Sequence, residues 1–229
     1  MFLPLYDQNP LKIIPFQFVT LSIIIVNVLV FAWQTLLPPS DGSSFILAYG
    51  MIPSVLFEQQ LLPPDMVRVP AEITLLTYMF LHANFWHLLG NMLFLWVFAD
   101  NIEDSMGHLR FAVFYLLCGI AAGLAHGFME ANSAAPLIGA SGAAAGVLGA
   151  YLLLHPKVKL LVLVFGRLPL RLPAYLLIIA WIVFQLMALA YIKENVAWWA
   201  HIGGFLVGMV LIPLLRDKSI PLLDWGVKH

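Results

Sequence analysis

Charge is what this sequence most lacks. Only 10% of its 229 residues are charged, whereas 62% are hydrophobic. Soluble domains typically contain about 25% charged and about 45–50% apolar residues. The composition therefore argues against a soluble protein and indicates a membrane protein.

Cysteine and net charge are also scarce. The single cysteine, Cys118, excludes an intramolecular disulfide, and we interpret it as a small apolar residue of the interior. The formal net charge is −1 and there is no basic patch, so we expect no nucleic-acid partner.

Long uncharged runs are what the sequence contains instead. Six intervals of at least nineteen residues have no Lys, Arg, Asp or Glu. A membrane-crossing helix needs about 20 apolar residues and must satisfy its own backbone hydrogen bonds. We therefore expect an all-α polytopic bundle of six transmembrane helices, forming one domain over residues 1–229. The predicted helices cover approximately residues 16–37, 85–106, 109–129, 141–155, 172–191 and 198–215.

The segment between the first two predicted helices, residues 38–74, differs from an ordinary loop. It is apolar in "FILAYGMIPSVLF" but repeatedly interrupted by proline. Proline prevents a continuous helix, so the segment cannot span the bilayer. We expect it to lie in the outer membrane interface as a structured cap.

The basic residues predict the orientation. If the N-terminus is cytoplasmic, nine of the eleven basic residues lie on the cytoplasmic side, as the positive-inside rule requires. We therefore expect both termini in the cytoplasm. The nine are Lys12, Arg110, Lys157, Lys159, Arg167, Arg171, Arg216, Lys218 and Lys228, and the two outside are Arg68 and Lys193.

A few polar residues interrupt the apolar spans near their outer ends. Ser141 lies in "GASGAAAGVLG", His201 in "AHIGGFLVG", and His87 and Asn91 in "HANFWHLLGN". Polar side chains are costly in a bilayer and usually mark function or structural pairing. His87 and Asn91 are four residues apart and share one helix face. All four side chains could meet in one place.

These residue types supply what acyl transfer needs. Ser141 begins a predicted helix, where backbone N–H groups are unpaired and can stabilise an oxyanion. His201 can accept the serine proton if the two side chains come within about 2.6–3.2 Å. Rows of small residues allow membrane helices to approach closely. The rows are Gly142, Gly146 and Gly149 in the fourth span and Gly204 and Gly208 in the sixth.

In their order and spacing, these three motifs resemble the rhomboid intramembrane serine proteases, over nearly the whole chain. The resemblance implies that Ser141 is the nucleophile of the Gly139-x-Ser-Gly motif and that His201 is general base and then general acid. It also implies an oxyanion hole formed by His87, Asn91 and the backbone N–H of Ser141.

The same resemblance implies the partners and the location. The substrates would be membrane proteins with a transmembrane segment, cleaved in or near that segment, and neither cofactor nor metal is expected. We expect a multi-pass protein of a bacterial inner membrane. The resemblance also implies that Glu103, which with Gly107 matches the family, is a structural hydrogen-bonding tie between helices.

The sequence departs from some rhomboids at two places. Ala145 stands where an aromatic residue often supports the catalytic histidine, so His201 would be oriented by something else, such as Trp198 or Trp199, or be held more loosely. Ile73-Thr74 replaces a tryptophan–arginine pair of the first loop, so anchoring of this loop to the membrane would differ.

Other interpretations stay open. A rhomboid-like chaperone for transmembrane segments is the first, and a transporter is the second, although no inverted repeat is visible. We interpret the acidic group Asp100, Glu103 and Asp104 as a solvated helix end. A metal site at His82 and His87 is not expected, because five residues apart they do not share a helix face.

Aromatic residues suggest how a substrate could enter. A lateral gate would form between the fifth span, with Trp181, Phe184 and Tyr191, and the second, with Phe94 and Trp96. Aromatic residues facing lipid are the alternative explanation.

Overall fold

A computed structural model describes residues 2–164, 166–191 and 196–223, so Lys193 and Lys228 lie outside the described residues. Two 3₁₀ turns, Ala71–Ile73 and Tyr78–Phe80, flank the short helix α4. The helices are α1 (Phe18–Leu36), α2 (Pro39–Tyr49), α3 (Pro53–Leu56), α4 (Thr74–Thr77), α5 (Phe85–Met106), α6 (His108–Met129), α7 (Ser141–Leu154), α8 (Ala174–Tyr191) and α9 (Trp198–Leu215).

Within the described residues, the six helices α1 and α5 to α9 form the bundle. This confirms the predicted helical, polytopic class. Helices α1, α6, α8 and α9 are each long and apolar enough to cross a membrane. Helix α5 has 22 residues but carries acidic residues near its C-terminal end. Helix α7 has only 14 residues, most of them buried, and lies at the centre of the bundle.

Helices α7 and α9 touch through their backbones. A Cβ atom added to Gly204 would collide with the carbonyl oxygen of Gly142, and one added to Gly208 would collide with that of Gly146. A Cβ atom added to Gly146 would in turn collide with the buried thiol of Cys118 in α6. Glycine therefore allows three helices to approach closely around the first half of α7.

A three-stranded antiparallel sheet was not expected from the sequence. Strands β1 (Phe2–Asp7), β2 (Lys159–Val164) and β3 (Leu168–Pro173) pair in the order β1-β2-β3. Helix α8 begins at Ala174, two residues after the predicted start, because the last two residues of β3 pair with β2. The sheet follows the C-terminal end of α7, so we call that end of the bundle the sheet end.

Two acidic side chains at the sheet end, Glu103 and Asp104, are buried. The interpretation of Asp100, Glu103 and Asp104 as a solvated helix end is therefore wrong for these two residues. Glu103 is fully buried and Asp104 is 5% exposed. Oxygens of Glu103 accept backbone hydrogen bonds of 2.8–2.9 Å from Val19 and Thr20 at the start of α1. The first amides of a helix have no partner within it, so Glu103 ties α5 to α1.

Asp104 holds the chain just before α1. Its carboxylate accepts hydrogen bonds of 2.7–2.8 Å from the backbone N–H groups of residues 12–14. The carboxylates of Glu103 and Asp104 therefore fix the path of the N-terminal segment against α5.

The first loop is folded over the other end of the bundle. Met51 and Leu137 exchange backbone hydrogen bonds of 3.1 and 2.8 Å. The backbone N–H of Ser54 donates to the carbonyl of Ser133 at 3.0 Å. These contacts tie the loop to residues 130–140, the segment that leads into α7.

Candidate active site

Ser141 and His201 meet where the first turns of α7 and α9 cross. The Nε2 atom of His201 lies 2.8 Å from the Oγ atom of Ser141. Both side chains are partly exposed. The glycine contacts between α7 and α9 bring these turns together, so residues sixty positions apart come within the distance that a nucleophile and its base require.

The turn before Ser141 is set by Gly139 and Tyr78. Gly139 has a φ of +117°, a conformation that favours glycine. Its N–H donates to the carbonyl of Tyr78 at 2.9 Å. The hydroxyl of Tyr78 in turn donates to the carbonyl of Gly119 in α6 at 2.7 Å. Tyr78 therefore holds the approach to Ser141 against α6.

His87 and Asn91 lie beside Gly139. A Cβ atom added to Gly139 would be 2.8 Å from Nε2 of His87 and 3.6 Å from Nδ2 of Asn91. The N–H of Ala83 donates to Nδ1 of His87 at 3.4 Å, which leaves the proton of the neutral ring on Nε2. Two N–H donors thus flank the Gly139-x-Ser141-Gly142 motif.

The side-chain amide of Asn91 is buried with its Nδ2 atom unpaired among the described residues. An unsatisfied buried donor is costly and calls for an explanation. A negative charge developing beside Ser141 would provide the missing acceptor.

His82 is part of the same region but contacts His87. Its ring is buried, and neither ring nitrogen has a partner within the described part of the chain. The ring centroids of His82 and His87 are 5.1 Å apart. Burial is the main cause that lowers the pKa of His82, and the neighbouring His87 is the second. The pKa falls to about 4, so the ring is neutral at pH 7. Two hydrogen bonds join its backbone to the side chain of Gln34 in α1.

The partner of His201 that sequence reasoning missed is Gln185 of α8. Its Oε1 atom lies 2.7 Å from Nδ1 of His201, and Gln185 is only 3% exposed. A signal was present in the sequence, because Gln185 is the only carboxamide in α8 and a buried amide in a membrane helix marks function or pairing.

Aromatic rings also lie against the imidazole of His201. Trp181 in α8 and Trp198 in α9 have ring centroids 5.9 and 6.2 Å from it. Of the two tryptophans suggested by the sequence, Trp198 therefore lies at the histidine, while Ala145 is buried.

No group of three or more His, Cys, Asp or Glu side chains within residues 2–164, 166–191 and 196–223 is arranged to hold a metal ion. The chemistry that Ser141 and His201 can perform is transfer of an acyl group to Ser141, with His201 moving the proton.

A cavity of about 550 Å³ opens between α5 and α8. Of the aromatic residues suggested as a gate, Phe94, Trp181 and Phe184 line it, whereas Trp96 and Tyr191 are exposed elsewhere. Gln185 also borders this cavity, so the space reaches the hydrogen-bond partner of His201.

Residues 69–218 match the family model described as Rhomboid domain, and the chain belongs to the rhomboid family. The family and the long apolar helices make it an integral membrane protein.

Relatives of the chain come from several sources. "Rhomboid protein 1, mitochondrial" of Saccharomyces cerevisiae is 31% identical over 62% of this chain and 41% of its own length. "Rhomboid-like protein 11, chloroplastic" of Arabidopsis thaliana is 29% identical over 69% of this chain and 58% of its own. YdcA, a rhomboid-family protein of Bacillus subtilis, is 29% identical over 63% and 68%, respectively. The chain thus spans about half the length of the first two relatives.

Proposed function

We propose that this protein is an intramembrane serine endopeptidase that cleaves transmembrane or membrane-anchored proteins. The observation that carries the proposal is the 2.8 Å contact between Ser141 Oγ and His201 Nε2. A rhomboid-like chaperone would need the helix bundle but not this pair, and such relatives usually lack the serine or the histidine.

The first chemical step forms an acyl-enzyme. Ser141 Oγ attacks the scissile carbonyl carbon while His201 Nε2 takes the hydroxyl proton. The developing oxyanion accepts hydrogen bonds from Nδ2 of Asn91, Nε2 of His87 and the backbone N–H of Ser141. The C–N bond then breaks, and His201 gives the proton to the leaving amine.

The second step releases the product. Water gives a proton to His201 Nε2 while its oxygen attacks the ester carbonyl carbon. The bond between that carbon and Ser141 Oγ then breaks, His201 returns the proton to Oγ, and the new C-terminal carboxylic acid leaves. A positioned base contributes typically about 10²–10⁴-fold to the rate, and one oxyanion donor about 10²–10³-fold.

A fluorophosphonate probe tests the proposal without knowledge of the substrate. We expect the probe to label the wild-type protein at Ser141, and to label neither the Ser141→Ala nor the His201→Ala variant. Cleavage of a reconstituted single-span membrane protein should be lost in the same two variants. Absence of labelling in the folded wild type would support the chaperone alternative, and unchanged cleavage by Ser141→Ala would refute Ser141 as nucleophile.

We further propose that both termini are cytoplasmic and that Ser141 lies towards the outer face. The sheet end carries Lys159, Arg167 and Arg171, and it is the end of α7 opposite Ser141, which agrees with the positive-inside rule. A reporter that is active only outside the cytoplasm, fused after residue 223, should stay inactive; an active reporter would reverse the orientation.

A bacterial inner membrane is our proposed location. The support is the Bacillus subtilis relative, of which the chain covers a larger share than of the yeast and Arabidopsis proteins. Fractionation of the native host would test it, with recovery in another membrane as the contrary result.

The cavity between α5 and α8 supports lateral entry of the substrate. Its lining is mostly apolar and aromatic, as expected for a surface that receives a transmembrane segment. Cysteines placed at Phe94 and Phe184 and joined by a flexible bifunctional thiol reagent should block cleavage, whereas each single-cysteine variant treated alike should stay active. Full activity after complete cross-linking would exclude this route.

A further inference from the structure

We propose that Gln185 is the positioning residue of the pair formed by Ser141 and His201. It fixes the tautomer and the ring plane of His201, so the alignment of this base depends on the position of α8. The proposal rests on the proposed function and adds a third group to the pair of Ser141 and His201. It also explains how this chain manages without an aromatic residue at Ala145.

The hydrogen bond between Gln185 and His201 determines which ring nitrogen is basic. The Oε1 atom of an amide can only accept a hydrogen bond, so Nδ1 of His201 must carry the proton. Nε2 is then unprotonated and faces the hydroxyl of Ser141 at 2.8 Å. The opposite tautomer would place a proton between Nε2 and Oγ and leave the serine without a base.

Burial makes this contact difficult to replace. Gln185 is 3% exposed, and the other buried residues of α8 are the apolar Ala174, Ile178 and Ala188. A buried amide without a partner costs free energy, since no water is available in a bilayer to compensate. The imidazole of His201 is the side-chain partner that the structure gives to Oε1 of Gln185.

Helix α8 supplies a second contact from the same face. Trp181 precedes Gln185 by one turn, and its ring centroid lies 5.9 Å from that of His201. The two side chains therefore contact the imidazole from α8, while Ser141 contacts its Nε2 atom from α7. In this chain an amide and an indole of α8 take the place of a ring on α7.

The position of Gln185 also connects the base to the lateral cavity. Gln185 borders the cavity between α5 and α8 and at the same time contacts His201. A shift of α8 that widens this cavity would lengthen the Oε1–Nδ1 contact. The alignment of His201 therefore depends on how α8 is seated.

Steady-state kinetics with three variants test the positioning role. Gln185→Leu removes the acceptor, Gln185→Glu keeps one, and Ile182→Val is a matched control for packing of the same helix, outside the cavity lining. Loss of the group that orients a metal-binding histidine typically costs about 10–100-fold in metal affinity or activity, and we take the same range for His201. We expect Gln185→Leu to lower kcat by about this factor with KM unchanged, and Gln185→Glu and Ile182→Val to stay within a few-fold of wild type. A wild-type kcat in Gln185→Leu, or equal losses in Gln185→Leu and Gln185→Glu, would overturn the proposal.

The tautomer itself gives a readout that needs no activity. ¹⁵N NMR of imidazole-labelled protein in bicelles should show His201 protonated at Nδ1 and bare at Nε2 in the wild type. Gln185→Leu should lose this preference while Gln185→Glu keeps it. A wild-type ring protonated at Nε2 refutes the role of Gln185 even if Gln185→Leu fails to fold. If the wild type neither labels nor cleaves, the proposed function fails, and the NMR result still decides the role of Gln185.

Discussion

The two ends of the bundle use buried polar groups in opposite ways. At the end that holds Ser141, which we call the site end, buried polar atoms lack partners among the described residues. They are both ring nitrogens of His82, Nδ2 of Asn91, Nδ1 of His126 and Nε1 of Trp198. At the sheet end, both oxygens of the Glu103 and Asp104 carboxylates accept hydrogen bonds from the N-terminal segment or α1.

The difference separates groups that await a ligand from groups that stabilise the fold. A buried donor without an acceptor costs about 1–3 kcal/mol, so several of them at one end lower stability unless a water or substrate completes them. A fully paired carboxylate that joins two segments contributes to stability instead. An unpaired buried donor therefore distinguishes Asn91 from the paired carboxylates of the sheet end, where Nε of Arg216 is the unpaired exception among the described residues.

Asn91 and Asn101 test this distinction most directly, because both are buried asparagines of α5 at opposite ends. We expect Asn91→Ala to lower kcat by about 10²–10³-fold, the usual cost of losing one oxyanion donor. Its midpoint of thermal unfolding should not fall, since Nδ2 of Asn91 has no partner to lose. Turnover on a reconstituted substrate and thermal unfolding in the same detergent measure the two effects.

Asn101→Ala is the matched control and should give the reverse result. The Asn101 amide donates to Asp100 at 2.9 Å and accepts a hydrogen bond from Asn9 of the N-terminal segment. Its loss should cost about 1–3 kcal/mol of stability, while kcat per labelled Ser141 stays at the wild-type level. Comparable losses of kcat in the two variants would end the distinction between the two ends.

The next largest effect should come from Glu103. Replacing it by alanine removes the acceptor of three hydrogen bonds, two from backbone N–H groups and one from the hydroxyl of Thr20, and also the 2.5 Å contact with Nδ1 of His108. We expect Glu103→Ala to destabilise the fold by about 3 kcal/mol, as removal of one partner of a buried charged group does. Glu103→Gln, which keeps an acceptor, should lose less. Fluorophosphonate labelling of the folded fraction should be unchanged; a folded Glu103→Ala protein that does not label would place Glu103 in the site.

Much of the site end could be predicted from the sequence, because its signals are local. Ser141, His201, His87 and Asn91 are polar residues in apolar runs, and the structure brings them to the motif turn at Gly139. The contact between the glycine rows was likewise predictable from small residues spaced four apart.

The sheet end and Gln185 were not predicted, for a physical reason. The pairing of β1 with β2 joins residues near 4 to residues near 162, and no local pattern encodes that register. The burial of Glu103 and Asp104 depends on where the N-terminal segment folds back. Gln185 has meaning only when α8 is seated next to His201.

The glycine contact that joins α7 to α9 should give an intermediate effect on both properties. A methyl group at Gly204 meets the backbone of Gly142, and overpacking typically costs about 1–3 kcal/mol. We expect Gly204→Ala to lower the unfolding midpoint and, because the helices must separate, to slow labelling of Ser141. Gly90→Ala is the control, since a Cβ there meets no atom within 4 Å. Equal labelling rates in the two variants would show that the dyad does not depend on this contact.

The smallest effect concerns Asp7, a carboxyl group of the sheet end whose ionisation costs free energy because the group is buried. Asp7 is buried at the end of β1, where it accepts a hydrogen bond of 2.7 Å from the hydroxyl of Tyr151. Burial raises the pKa of Asp7 from 3.8 to about 6. Between these values the folded protein holds a proton that the unfolded chain has released, so this contribution to stability falls as the pH rises and is lost above about pH 6.

Asp7→Asn removes the ionisation while keeping an acceptor for Tyr151. We expect this variant to be more stable than wild type by about 1 kcal/mol at pH 8, a value reduced for partial solvation, and to match wild type at pH 4. Thermal unfolding at the two pH values measures the difference, with the exposed Asp41→Asn as the control that should show none. If Asp7→Asn gave the same stability gain at both pH values, ionisation of the buried Asp7 carboxyl would not be what lowers stability. Ionised Asp7 would then be as well paired as Glu103 and Asp104.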